Sequence, residues 1–92
     1  MVERLIEQHL CTRVMELGGT TLKFTSPSRV GVPDRIVIWP GTPAVIHFVE
    51  VKAPKKKPRA SQLREHARLR EAGCTVLVID SKEAVDNYVR NR

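Results

Sequence analysis

Apolar residues near the N-terminus recur at steps of three and four, the spacing of one helix face. Leu5, Ile6, Leu10, Val14 and Leu17 follow this spacing, which predicts an amphipathic helix over residues 2–17. The pair Gly18-Gly19 ends the pattern, and glycine is the residue best suited to the left-handed position after a helix. The chain therefore opens on a helix with one buried face.

Four later segments are short and rich in apolar or β-branched residues, which is typical of strands. They cover residues 20–25, 34–39, 44–52 and 75–79. A turn with two prolines at 40–43 makes the second and third segments a predicted hairpin. The fourth segment, TVLVI, is continuously apolar, which favours burial on both of its faces.

Two further helices complete the predicted order αβββαβα. One runs over about 61–72 and is closed by Gly73; the other follows Asp80 or Ser81, and Asp80 with Glu83 fits a capping box. Strands followed by a helix, a strand and a helix predict an α/β fold with one mixed four-stranded sheet flanked by helices. We expect residues 1–92 to form a single domain.

Composition narrows the functional classes. The chain has 92 residues, of which 41% are hydrophobic, and a net charge of +6. The charge favours an anionic partner, nucleic acid first, and so small a core makes oligomerisation a reasonable expectation. No apolar run approaches the roughly 20 residues of a membrane span, and there is no signal-peptide pattern. The two isolated cysteines favour a reduced, cytoplasmic chain.

Charged residues converge at one end of the predicted hairpin. Glu50 and Lys52 lie on one strand face, and Asp34 opens the neighbouring strand. Carboxylates are ligands for Mg²⁺ or Mn²⁺, so Asp34 and Glu50, with the backbone carbonyl of Val51, form a candidate metal site. Lys52 would orient or deprotonate a water, or stabilise transition-state charge. The alternative is a simple exposed ion pair between Glu50 and Lys52.

Two acids of the first helix lie in or beside its apolar arc. These are Glu3 and Glu7. Glu3 suits the first turn as a solvated acid near the helix dipole. Glu7 lies a full turn further in, where a buried carboxylate needs a lysine, an arginine or a metal as its partner.

The motif Pro33-Asp34, followed by Glu50-x-Lys52, resembles the PD-(D/E)xK nuclease motif. The likeness extends to the VRR-NUC branch of that superfamily. It rests on the opening helix with Glu7, on Lys23-Phe24, on GVPD at 31–34, on FVEVK at 48–52, and on Gln62, Leu69 and Gly73.

The resemblance implies a restriction-endonuclease-like core and a Mg²⁺- or Mn²⁺-dependent endonuclease of phage or bacterial type. Its expected substrate is branched DNA such as a Holliday (four-way) junction, in DNA repair or recombination, cut by a homodimer without a small-molecule cofactor. It also implies that Glu7 completes the metal site, with Glu3 as the alternative, and that Gln62 lies near the catalytic lysine.

Basic residues are concentrated directly after the third strand. Eight of the sixteen Lys and Arg residues lie between Lys52 and Arg70, with Glu65 as the one acid. Such side chains bind phosphates without reading bases. The expected DNA contacts are Arg29, Lys55, Lys56, Lys57, Arg59 and Arg64. Two alternatives remain: a nonspecific or flap-directed nuclease with the same site, and a non-catalytic DNA-binding module.

Overall fold

The computed structural model describes residues 2–92, which fold into three helices and four strands in the predicted order. They are α1 (Glu3–Glu16), β1 (Thr20–Lys23), β2 (Arg35–Trp39), β3 (Val45–Val51), α2 (Ala60–Glu71), β4 (Thr75–Ile79) and α3 (Lys82–Asn91). The strands form one sheet in the order β1-β2-β3-β4. The first three are antiparallel neighbours, and β4 runs parallel to β3. The predicted α/β fold with a mixed four-stranded sheet is confirmed.

The hydrophobic core lies between the sheet and the helices α1 and α3. Ile6, Leu10 and Val14 of α1 are fully buried in one cluster with Val37 of β2 and Val49 of β3. Because successive strand residues point to opposite faces, Glu50 lies on the other face, where α2 packs. The sheet therefore separates a largely apolar face from a face that carries the charged residues.

Strand and helix ends differ from the predicted ends by up to two residues. β1 ends at Lys23 rather than at Thr25, and β2 begins at Arg35, so Asp34 lies just outside the strand. One further backbone bond, from Phe24 N–H to the Asp34 carbonyl at 2.9 Å, continues this pairing. Pro27 and Pro33 on either side of the loop prevent a longer ladder, because proline has no N–H to donate.

Two details of the C-terminal part differ from the predictions. β4 is an edge strand, so Val78 is 40% exposed instead of buried. Of the two predicted caps of α3, Asp80 or Ser81, the structure shows Ser81: its hydroxyl accepts a hydrogen bond from the Ala84 N–H at 3.0 Å. The shorter serine side chain fills the role that the Asp80–Glu83 capping box was expected to fill.

The structure also bears on the cysteines and on the membrane-span prediction. Cys11 and Cys74 are both free thiols. None of the helices in the described part of the chain is long and apolar enough to cross a membrane.

Candidate active site

The hairpin register brings the predicted acidic residues together at one end of the sheet. Arg35 pairs with Val49 across β2 and β3, so Asp34 and Glu50 lie next along the same ladder. Both point to the α2 face, and Lys52, two residues after Glu50, shares it. The predicted convergence of Asp34, Glu50 and Lys52 agrees with this geometry.

The loop before β2 sets the position of Asp34. Gly31 adopts a left-handed backbone conformation, with φ at +90°. A Cβ atom at Gly31 would lie 2.5 Å from the carbonyl oxygen of Ser61 in α2, so only glycine fits this close approach. Pro33 is fully buried behind it. The sequence GVPD is therefore a loop packed against the start of α2 that ends on the carboxylate.

Asp34 is fixed by the backbone of β3. Its Oδ2 accepts a hydrogen bond from the Val51 N–H at 2.8 Å. The bond uses one carboxylate oxygen and holds Asp34 beside the strand that carries Glu50 and Lys52. The carbonyl oxygen of Val51, the predicted third metal ligand, belongs to the same residue as this N–H.

Glu50 is a carboxylate in an environment that disfavours its charge. It is 1% exposed. Its Oε2 accepts a hydrogen bond from Gln62 Nε2 at 2.9 Å and lies 3.5 Å from Lys52 Nζ. Burial first, and the nearby Asp34 carboxylate second, raise the pKa of Glu50 to about 7, although Lys52 opposes the shift. A shifted acid of this kind is typical of functional sites.

Gln62 connects α2 to the acidic cluster with both ends of its amide. Its Oε1 accepts from the Arg59 N–H at 2.8 Å, while its Nε2 donates to Glu50. The amide orientation is thus set by the backbone at the start of α2. Gln62 lies near Lys52 and Glu50, as the resemblance implied.

One residue of α2 that the predicted site did not include, His66, lies against Glu50. His66 is fully buried, and its Nε2 lies 3.6 Å from Glu50 Oε1. Burial, together with the positive charges of Arg70 and Lys52, lowers the pKa of His66 below 6.5. Glu65 is buried as well. The buried face of α2 follows helical spacing through Gln62, Glu65, His66 and Leu69. A search for hydrophobic periodicity does not detect this face, because most of these residues are polar.

Glu7, which the resemblance implied would complete the metal site, forms its hydrogen bonds with two cations, and its place in that site stays a prediction. Its Oε2 accepts from Arg35 Nε at 2.7 Å and from Lys23 Nζ at 3.2 Å. Arg35 shares its sheet face with Val37 and so lies on the α1 side. Burial alone would raise the pKa of Glu7, but Arg35 and Lys23 outweigh it and lower that pKa.

The Glu7 carboxylate therefore has a lysine and an arginine as its partners. Its position on the helix had predicted a lysine, an arginine or a metal. Glu3, the alternative, lies one turn nearer the N-terminus and is exposed. A metal-binding role for either acid stays a prediction without support from the geometry.

The expected DNA contacts surround the cluster but are not equally free. Arg29 is held by its Nε, which lies 3.1 Å from both carboxylate oxygens of Glu65. This ion pair ties the loop before β2 to α2, which makes Arg29 at least partly structural. The other five are exposed side chains: Lys55, Lys56, Lys57, Arg59 and Arg64.

The donor atoms suit a hard divalent cation that retains much of its water. Asp34 and Glu50 supply carboxylate oxygens, and Glu50 Oε1 is buried without a hydrogen-bond partner among residues 2–92. No three His, Cys, Asp or Glu side chains in those residues form a group able to hold a metal ion. Mg²⁺ is commonly bound through one or two carboxylates together with waters and phosphate oxygens, which two acids can provide.

Comparison with known proteins gives three concordant matches. The model of the VRR-NUC domain matches residues 4–83. A protein of Acyrthosiphon pisum secondary endosymbiont phage 1, named "Putative nuclease p44", is 52% identical over 81 residues, which cover 88% of this chain and 85% of the phage protein. A solved structure of a "VRR_NUC domain" superposes with a TM-score of 0.88 at 38% identity. It covers 97% of this chain and 95% of that one.

Proposed function

The chain belongs to the VRR-NUC nuclease family, and from that premise we propose that it is a Mg²⁺- or Mn²⁺-dependent endonuclease that cuts branched DNA as a homodimer. The observation that carries the proposal is the state of Glu50. Its carboxylate is buried beside Asp34 and Lys52, its pKa is raised to about 7, and its Oε1 has no hydrogen-bond partner in the part of the chain that the structure describes. A bound cation would relieve the charge repulsion between the two carboxylates.

Asp34 and Glu50 would hold the metal ion, and the Val51 carbonyl is the third candidate donor. A divalent ion supplies a Lewis acid for a phosphate oxygen and lowers the pKa of water bound to it. Hydrolysis of a phosphodiester needs no nucleophilic serine or cysteine, because water is the nucleophile. The protein has to place that water, the phosphate and the cation against each other.

Lys52 is placed to act on the negative charge of the reaction. Its Nζ lies 3.5 Å from Glu50 Oε2 at the edge of the acidic cluster. A cation there stabilises the charge that develops on the phosphate or orients the attacking water. Gln62 holds Glu50 in place through the hydrogen bond from its Nε2.

The basic loop after β3 gives the DNA a path to these residues. Lys55, Lys56 and Lys57 are exposed and follow Lys52 directly along the chain. Lysines on an exposed loop attract phosphates irrespective of base sequence. Sequence-independent binding agrees with selection of DNA by its shape.

An uncovered apolar area on the α2 face supports the homodimer. Leu22 of β1 and Ile46 of β3 are each about half exposed. Ile36 and Ile38 of β2 lie between them on the same face. Pairing of two copies through this area would bury it and present two active sites related by a two-fold axis. Such symmetry suits paired nicks in a four-way junction.

Cleavage of a labelled four-way junction, beside a linear duplex of the same sequence, tests the proposal. Reactions contain Mg²⁺, Mn²⁺ or EDTA, and the variant Lys52→Ala is the catalytic control. Analytical ultracentrifugation of wild type and Ile46→Lys tests the dimer. We expect metal-dependent cutting confined to the junction, a wild-type dimer and a monomeric Ile46→Lys chain.

Other outcomes separate the parts of the proposal. Equal cutting of junction and duplex would keep the metal-dependent nuclease and overturn the structural selectivity. Firm, salt-sensitive binding without cutting in either metal would identify a DNA-binding module instead. A wild-type monomer that still resolves junctions would overturn the dimer alone.

A further inference from the structure

Glu50 faces two side chains of α2, one at each of its carboxylate oxygens. Gln62 Nε2 donates to Oε2 at 2.9 Å, and His66 Nε2 lies 3.6 Å from Oε1. Gln62 and His66 are four residues apart, so they project from successive turns on the same side of the helix. α2 therefore places one side chain close to each oxygen of the Glu50 carboxylate.

His66 and Glu50 lie close together without forming a hydrogen bond. A histidine that only filled space would not account for this. Glu50 Oε1 and both ring nitrogens of His66 are buried and have no hydrogen-bond partner in the described part of the chain. Leaving a buried polar group without a partner destabilises the folded state. An aliphatic side chain would fill the same buried space without this cost.

The distance between the two groups is close to that of a hydrogen bond. N–H···O bonds extend to about 3.2 Å, so a small rotation of either side chain closes the gap of 3.6 Å. The neutral imidazole has one N–H donor and one acceptor nitrogen. With the proton on Nε2, the ring donates to Glu50 Oε1.

A competing partner for the Glu50 carboxylate lies on its other side. Lys52 Nζ is 3.5 Å from Oε2, and a carboxylate held by nothing else would close onto this ammonium as a tight ion pair. That pair would occupy both the acid and the lysine. The α2 side chains at the two carboxylate oxygens, Gln62 at Oε2 and His66 near Oε1, oppose this closure.

We propose that His66 is a positioning residue whose Nε2–H holds Glu50 Oε1, so that the carboxylate faces the metal site beside Asp34 instead of closing onto Lys52. The inference rests on the proposed function, because it assigns His66 to the same metal-dependent site. Residues that hold a metal-binding side chain from behind commonly change metal affinity about 10–100-fold when they are replaced.

The test is Mn²⁺ binding to the full chain without DNA, measured by titration calorimetry, together with the Mn²⁺ concentration that half-saturates cleavage. His66→Leu keeps the volume and removes the donor, and we expect Mn²⁺ affinity to fall about tenfold. His66→Gln supplies an N–H at a similar reach and should restore most of the affinity. Recovery by glutamine but not leucine is not expected of a residue that only fills space.

The matched control is His47→Leu. His47 is a histidine of the same sheet, but it lies on the α1 and α3 face, where its Nδ1 is 2.7 Å from the Tyr88 hydroxyl. The control variant should bind Mn²⁺ as the wild type does. Thermal unfolding of every variant separates loss of affinity from loss of fold.

The inference is overturned if His66→Leu folds and binds Mn²⁺ as tightly as the wild type. If His66→Leu does not fold, His66→Gln and His66→Asn carry the comparison, because the asparagine amide is too short to reach Glu50. Equal affinities of these two variants would overturn it as well. A wild-type chain that neither binds Mn²⁺ nor cuts DNA would overturn the proposed function, and with it this inference.

Discussion

Each face of the sheet carries a glutamate, partly buried on one side and fully buried on the other, under opposite electrostatic conditions. On the α1 face, Glu7 meets Arg35 and Lys23, and its pKa is lowered. On the α2 face, Glu50 meets the Asp34 carboxylate and, at 3.5 Å, the Lys52 ammonium, and its pKa is raised to about 7. One charge is balanced by the fold, and the other is not.

The difference separates an acid whose charge the fold neutralises from an acid that we propose as part of the active site. Glu7 joins the first helix to β1 and β2, and the fold supplies everything that its carboxylate needs. Glu50 is held in place at a cost to stability, which is typical of residues kept for binding or catalysis. Of the acids predicted for the metal site, Asp34 and Glu50 lie together on the α2 face, whereas Glu7 pairs with cations on the α1 face.

The largest effect is expected from removing the α2-face residues themselves. Asp34→Asn and Lys52→Ala should each reduce cleavage of a four-way junction about 10³-fold or more, because the metal site or its charge stabilisation is lost. Junction binding in a gel-shift assay should remain. The matched control is Asp86→Asn, an acid on α3 that pairs with His9 and Arg13. Loss of binding with intact cleavage would contradict the assigned roles.

The second prediction concerns stability against pH in EDTA. A raised pKa means that Glu50 contributes stability fully below pH 4.5 and loses it as the pH rises through about 7. The metal-free protein should therefore lose about 2 kcal/mol from this group between pH 5 and pH 8. Asp34, Lys52 and His66 are the other ionisable side chains that face this carboxylate.

Thermal or urea unfolding across this pH range gives the measurement. Glu50→Gln should abolish the loss above pH 5, whereas Glu7→Gln should keep it. Parallel pH profiles for the wild type and Glu50→Gln would show that the two glutamates do not differ as described.

A smaller effect should distinguish the cations of the two faces. Removing Lys55 and Lys56 should reduce the slope of log K against log salt by about 2 and weaken DNA binding, because two phosphate contacts are lost. Removing Lys82 and Arg90 of α3 deletes the same charge on the opposite side. This control pair should leave the slope unchanged. Equal slopes for both double variants would show that the DNA does not bind along the α2 side.

The smallest effect is expected from Glu7→Gln. It leaves Arg35, which is largely buried, with a weaker partner, so the free energy of unfolding at pH 7 should fall by about 1–2 kcal/mol. The lowered pKa of Glu7 contributes stability above its ordinary value of 4.5, which is lost as the pH falls through the folded-state pKa.

Cleavage by Glu7→Gln, assayed where the variant is fully folded, should stay within a few-fold of wild type. A loss comparable with that of Asp34→Asn would show that Glu7 takes part in the metal site and that the two faces do not differ as described.

Local patterns were sufficient for most of the fold. β4 begins and ends where its apolar run predicted, and the remaining elements differ by at most two residues at either end. The hairpin turn also fixed the register that places Asp34 beside Glu50. These features depend on side-chain period and turn chemistry, which neighbouring residues determine.

The environment of each charged group could not be predicted in the same way. The helical period placed Glu7 near the apolar arc of α1 but could not choose between a cation and a metal as its partner. α2 buries Gln62, Glu65 and His66, so its packed face carries no hydrophobic signal. Polar residues of this kind are buried because of partners that lie far away in the sequence.

The amino-acid sequence by itself determined the element order, the acidic and basic residues at the end of the hairpin, and the resemblance to VRR-NUC nucleases. Only the tertiary structure assigned Glu7 and Glu50 to opposite faces, paired Arg29 with Glu65, and placed His66 against Glu50. The physical reason is range: periodicity and turns act over a few residues, whereas desolvation and charge pairing depend on groups that meet only when α1 and α2 pack on the two sides of the sheet.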